Sequence, residues 1–181
     1  MPMADAPTTR IWFGRLVYVL VMLVLVFAQL LPLNTTPTVW AAPNWALAVT
    51  FAWVARRPEY APLIVIAALF LLSDLLFQRP PGLWAALVVI MSEMIRTRAQ
   101  GIRNMPFALE WGTVAAGIVG ITLMYRAALT VVMTAQAPLG LTLIQMVMTI
   151  IFYPLVVAVA HFIFGVSRPA LGQVDSRGHR L

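Results

Sequence analysis

Asp74 and Glu110 are carboxylates set inside long apolar stretches of this 181-residue chain. Acidic side chains in such a setting are the residues best suited to proton or ion chemistry. Asp74 stands in the segment "LFLLSDLLFQRPPGLW", Leu69–Trp84, about three residues from the end of an apolar run. A charge at a bilayer centre costs about 2.5–3.5 kcal/mol on insertion scales, and less near an interface. A carboxylate near a helix C-terminus also meets the negative end of the helix dipole. Asp74 therefore needs a partner or a proton, and Arg79 and Arg126 are the basic neighbours expected for it. Two roles stay open at this point. The charge faces a substrate or another protein, or it belongs to a polar cluster that fastens the third apolar span to the fifth.

Glu110 lies between Leu109 and Trp111, where the fifth span begins. A helix N-terminus suits a carboxylate, and Arg103 or Arg98 is expected to neutralise it. Arg126 cannot do so, because the sixteen intervening steps of helix rise about 24 Å. Glu93 precedes Arg96 by three residues, the spacing of an ordinary helical ion pair. Asp74 and Glu110 fall at opposite ends of their spans, so they do not form the paired intramembrane carboxylates of a proton relay. His161 and His179 are far apart, and the chain has no cysteine. No Gly-rich phosphate loop and no Ser/His/Asp or Cys/His set is present. The ten methionines are scattered, as packing residues are. The expectation is a protein without catalytic, cofactor or metal sites.

The elements that must hold these residues are apolar helices. The chain is 62% hydrophobic and 10% charged, whereas soluble domains average roughly 25% charged. Six spans are expected, at about 11–31, 39–55, 61–77, 82–97, 106–126 and 139–164. A full crossing needs about 20 residues, so the fourth span is marginal and either snorkels through Arg96 or is partly re-entrant. The expected fold is an all-α integral membrane protein, a six-helix transmembrane bundle forming one domain over 1–181. The polar stretch 167–181 reads as a loose tail. The first apolar run is long for a cleaved signal segment.

All twelve basic residues are arginine, and net charge is +6. Arg10, Arg15, Arg56, Arg57, Arg96, Arg98, Arg103, Arg168, Arg177 and Arg180 fall on one side of the alternating spans. Arg79 and Arg126 fall on the other. This asymmetry follows the positive-inside rule and places both termini in the cytoplasm. Topology thus explains the basic charge, and no nucleic-acid partner is implied.

Three further features stand out. Gly112, Ala116 and Gly120 recur at four-residue spacing, which permits close helix approach, either within the bundle or to another protein's transmembrane helix. Pro43, Asn44 and Trp45 open the second span, with proline at a tolerated first-turn position and tryptophan suited to the interface. Pro154 removes a helical hydrogen bond and predicts a kink in the sixth span.

Taken in order, these segments resemble the bacterial rod shape-determining protein MreD family. The carriers are "QLLP" (Gln29–Pro32), "PNW" (Pro43–Trp45), "SDLL" (Ser73–Leu76), Gly82 eight residues after Asp74, Arg103-Asn104, and the proline of "FYPLV" (Phe152–Val156). They cover about residues 10–168. The resemblance implies a non-enzymatic component of the bacterial inner membrane that maintains rod shape within the elongation machinery. It implies binding to MreC, the bitopic scaffold, and a link between MreB filaments and peptidoglycan synthesis. RodZ, RodA and the elongation-specific transpeptidase are further implied partners, along with the lipid bilayer and a homodimer. The implied fold is like the substrate-binding subunits of energy-coupling-factor transporters. A competing reading from the same bundle is a small-molecule, vitamin-like uptake subunit with a ligand pocket on the outer side, near Asp74 and Trp84.

Overall fold

The computed structural model describes residues 6–31, 40–103, 106–164 and 166, with the side chains of 6–8 and 99–103 left aside. The proposed tail 167–181, the linker 32–39, Asn104 and the Arg103 side chain lie outside the described residues. Six helices and no strands occur among the described residues: α1 (Ala6–Leu30), α2 (Trp45–Arg56), α3 (Leu63–Leu76), α4 (Leu83–Arg103), α5 (Phe107–Val131) and α6 (Leu139–Phe164). The segments Thr9–Leu30, Phe107–Val131 and Leu139–Phe164 are long and apolar enough to cross a membrane. Helices α2 and α3 have 12 and 14 residues, about 18 and 21 Å of rise.

Helix α2 is the axis of the bundle. Its sequence, WALAVTFAWVAR, is apolar on every side, and a helix of that kind must be covered all round. Alanines 46, 48, 52 and 55 let neighbours approach, and every residue from Ala46 to Arg56 is buried. Helices α4 and α6 pack against it, α1 touches it as well, α3 lies on α4, and α5 closes the ring between α4 and α6. The outward faces of α1, α5 and α6 leave Val24, Phe27, Leu123, Met124, Ile151 and Phe162 exposed. An exterior rich in such apolar side chains suits lipid contact.

Several helix limits differ from the expected spans, each for a local reason. Helix α2 starts at Trp45, not near 39, because the Asn44 side chain accepts the Leu47 N–H at 3.1 Å and caps the first turn. Helix α4 runs to Arg103 and is 21 residues long, about 31 Å, so it is neither short nor broken. Two of its charges are engaged: Arg96 pairs with Glu93 at 3.4 Å and donates to the Ala61 carbonyl at 2.7 Å. Helix α5 continues past Arg126 to Val131, because that guanidinium reaches the following segment instead of ending the helix.

Helix α6 spans Pro154 without a break. Proline has no N–H for the carbonyl four residues earlier. That carbonyl belongs to Ile150, and the Trp111 indole N–H of α5 donates to it at 2.9 Å. At the place where the sequence predicts a kink, the structure has a hydrogen bond between helices.

Candidate functional site

The helices alternate in direction, so the bundle has two polar ends. At one end the chain turns between α2 and α3 and enters α5. Glu110 sits there, 1% exposed. Arg56 Nε lies 3.2 Å from Glu110 Oε1, and the Tyr153 hydroxyl donates to the same oxygen at 3.1 Å. Arg56 from α2 takes the role expected of Arg98, which is exposed; the Arg103 side chain lies outside the described residues. Three helices, α2, α5 and α6, thus meet on one carboxylate. Arg15 Nε adds a bond to the Glu59 carbonyl at 3.0 Å, and Gly14 lets the Tyr60 ring come so close that a Cβ would stand 2.6 Å from it.

At the other end Asp74 is fully buried. Its Oδ2 accepts the backbone N–H groups of Gly82 at 3.1 Å and Ala85 at 3.2 Å. These amides open α4 and have no carbonyl partners within their own helix, so the carboxylate of one helix caps the next. The carboxylate also complements the positive end of the α4 dipole, which offsets its poor position on α3. Gly82 is required twice. Its φ is +85°, a region costly for residues with a Cβ, and its N–H must point at Asp74. The hydrogen bonds of Asp74 therefore go to backbone amides rather than to either expected arginine. Arg79 is near enough to attract it through space, but its guanidinium lies over the Phe77 and Trp84 rings, at 5.2 and 5.7 Å. Arg126 donates to the Ala137 carbonyl at 3.1 Å and the Thr142 hydroxyl at 2.8 Å. Asp74 Oδ1 has no hydrogen-bond partner among the described residues.

The Pro43-Asn44-Trp45 segment ties α2 to α6 at this end. The Asn44 N–H donates to the Thr149 hydroxyl at 2.9 Å, Gln145 donates to the Ala42 carbonyl at 3.2 Å, and Trp45 meets Phe152 edge-on at 5.5 Å. Between this segment, the α3–α4 turn and the α5–α6 connection lies a cavity of about 290 Å³. Arg79, Trp84, Tyr125, Arg126, Asn44 and Thr149 are among its lining residues. Trp84 and Tyr125 meet edge-on in its wall at 5.1 Å.

Gly112, Ala116 and Gly120 line a separate apolar groove of about 590 Å³ between α4 and α5, with Met91, Met94 and Arg98 opposite. A Cβ at Gly112 or Gly120 would meet nothing within 4 Å. The close approach of α4 and α5 is made instead at Gly117, where the Met91 side chain fills the space of a Cβ. Among the described residues no group of three His, Cys, Asp or Glu side chains could hold a metal ion.

The structure thus gathers Asp74, Gly82, Arg79, Arg126, Asn44 and Trp45 at one end, and separates them from Glu110. Sequence reasoning missed Arg56 and Tyr153 as the partners of Glu110. A cation at the last turn of an all-apolar helix was the one signal for Arg56. It also missed Tyr125 and Thr149, which carry no local signal. Compared with known proteins, the chain matches no family model, no curated protein and no solved structure.

Proposed function

We propose that this chain is a non-enzymatic scaffold of the bacterial inner membrane that binds MreC and helps connect MreB filaments to peptidoglycan synthesis. The observation that carries the reading is the use of its two intramembrane carboxylates. Asp74 caps α4, and Glu110 joins α2, α5 and α6. Both hold helices in register, as a rigid docking body requires. The Asp74–Gly82 step that contributes to the MreD resemblance is also a hydrogen-bonded unit with a mechanical purpose. In this reading all six helices cross or enter the bilayer, both termini are cytoplasmic, and the Asp74 end faces outward, following the arginine bias. The bundle would be built like the substrate-binding subunits of energy-coupling-factor transporters. RodZ, RodA, the elongation-specific transpeptidase and a second copy of the chain are further partners in the same proposal.

Co-purification from membranes with a single-span MreC-like protein tests the reading. Retention of the partner through size exclusion supports it. A partner that never travels with the chain, although both are inserted, rules it out.

The cavity beside Trp84 favours a second reading, a small-molecule uptake subunit. Saturable uptake of one compound that depends on this chain would support that reading over the first.

A further inference from the structure

The cavity at the Asp74 end has a definite electrostatic character. Arg79 and Arg126 line it, and no carboxylate does. Among the described residues neither arginine belongs to an ion pair; the pairs found join Arg56, Arg57 and Arg96 to glutamates. Asp74 lies behind the first turn of α4, engaged with the Gly82 and Ala85 amides. Two cations and one anion leave this region with a surplus positive charge. Arg126 uses one terminal nitrogen on protein acceptors. The half-buried Tyr125 lines the same cavity, and no described residue hydrogen-bonds its hydroxyl. Leu47, Ile118, Leu129 and Met146 add apolar surface to the same cavity.

We propose that this cavity binds an amphipathic anion, with a phosphate or carboxylate group held between Arg79 and Arg126 and an apolar portion against Ile118, Leu129 and Met146. Guanidinium groups suit both oxyanions, through paired N–H donors. A cavity lined by two cations and by apolar side chains selects such a ligand over a neutral polar one. Size argues for a headgroup-scale occupant. The volume of about 290 Å³ equals roughly ten waters and lies at the lower limit of small-molecule pockets. The anion can come from an acidic phospholipid or from a soluble compound; the recognition chemistry is the same. The inference goes beyond the scaffold reading, and it names the ligand chemistry that the uptake reading leaves open.

The test uses the full chain in nanodiscs. One arm compares discs of phosphatidylglycerol with discs of phosphatidylcholine, and reads lipid retained on the protein by native mass spectrometry after release. The other arm titrates inorganic phosphate, and separately octanoate, into phosphatidylcholine discs and follows thermal stability. Preferential retention of phosphatidylglycerol assigns the site to lipid, and saturable stabilisation by phosphate or octanoate assigns it to a soluble ligand. Arg79→Gln or Arg126→Gln should weaken the effect roughly ten- to a hundredfold, the size of one charge-assisted contact. Arg79→Lys should retain part of it, and Arg98→Gln, in the separate groove, all of it. No preference and no stabilisation in either arm overturns the proposal. So does equal binding by the glutamine variants. If those variants bind anions normally yet lose a co-purifying protein, the arginines serve that protein, and the anion site is refuted. Failure here leaves MreC co-purification by wild-type chain unaffected, so the two readings fall separately.

Discussion

Arg56 Nε stands 3.2 Å from Glu110 Oε1, with 11% and 1% of the two side chains exposed. Fifty-four residues separate them in sequence, and the Tyr153 hydroxyl from a third helix donates to the same oxygen. Removing one member of a buried pair leaves the other charge uncompensated, which costs about 3–5 kcal/mol. Arg56→Ala should therefore lower stability by that order, read as the unfolding midpoint in mild detergent. Glu110→Gln should cost less, because the amide oxygen still accepts from Tyr153. The double change Arg56→Ala with Glu110→Gln should cost less than the sum of its parts. Additive losses would mean that the two side chains do not act as a pair.

The Asp74 cap gives a graded series. Asp74→Ala removes the acceptor for two α4 amides and should destabilise by about 0.5–2 kcal/mol, as cap removal does. Asp74→Asn keeps one oxygen acceptor and should fall between that variant and wild type. Gly82→Ala forces a Cβ into a positive-φ conformation and should cost about 1–2 kcal/mol. The informative variant is Asp74→Ala with Gly82→Ala, whose loss should be smaller than the sum, since both damage the same turn. Hydrogen exchange at Gly82 and Ala85 provides a local reading: both amides should exchange faster in Asp74→Ala while α6 amides stay protected. Unchanged exchange at Gly82 would remove the cap from the account.

Much of the bundle was legible in the sequence, because apolar run length and proline position are local signals. Helix α6 occupies the expected 139–164, and the Glu93–Arg96 pair forms as its spacing requires. Three things were not legible. A polar residue inside an apolar run ends a helix or not depending on where its side chain reaches. Asn44 turned back onto the Leu47 amide and started α2 late, whereas Arg126 reached forward to Ala137 and Thr142 and let α5 run on. Next, the need of Asp74 for partners was evident, but backbone amides carry no residue type to search for, so arginines were named instead. Finally, Glu110 is met by side chains from two other helices, and nothing near it in sequence points to Arg56 or Tyr153.

Pro154 and Trp111 form a second coupled pair, through the carbonyl of Ile150. Trp111→Phe keeps an aromatic side chain and removes the donor. In the native background it removes the donor to that carbonyl, a loss of about 0.5–1.5 kcal/mol, as for a typical intramolecular hydrogen bond. Pro154→Ala supplies an N–H within α6 for that same carbonyl. Trp111→Phe should then cost little in the Pro154→Ala background, a thermodynamic coupling of about 0.5–1.5 kcal/mol. Equal cost in both backgrounds would show that the indole bond is incidental to the proline.

Because the chain has no cysteine, its sidedness can be mapped with single cysteines and no prior removal of native ones. Ala135 lies in the α5–α6 connection and Thr97 near the opposite end of α4, and both are exposed. With ten arginines assigned to one side and two to the other, the positive-inside rule puts Thr97 toward the cytoplasm and Ala135 outside. A membrane-impermeant maleimide should label Ala135→Cys in intact spheroplasts, and should label Thr97→Cys after permeabilisation only. The decisive comparison is within one preparation, since α5, which separates the two sites, must cross the bilayer for them to differ. Labelling of both sites from outside would mean that α5 does not cross the bilayer. Reversed labelling would turn the bundle over, setting the Arg56–Glu110 pair on the outer side and the Arg79–Arg126 cavity toward the cytoplasm, out of reach of the periplasmic partner that the proposed function calls for.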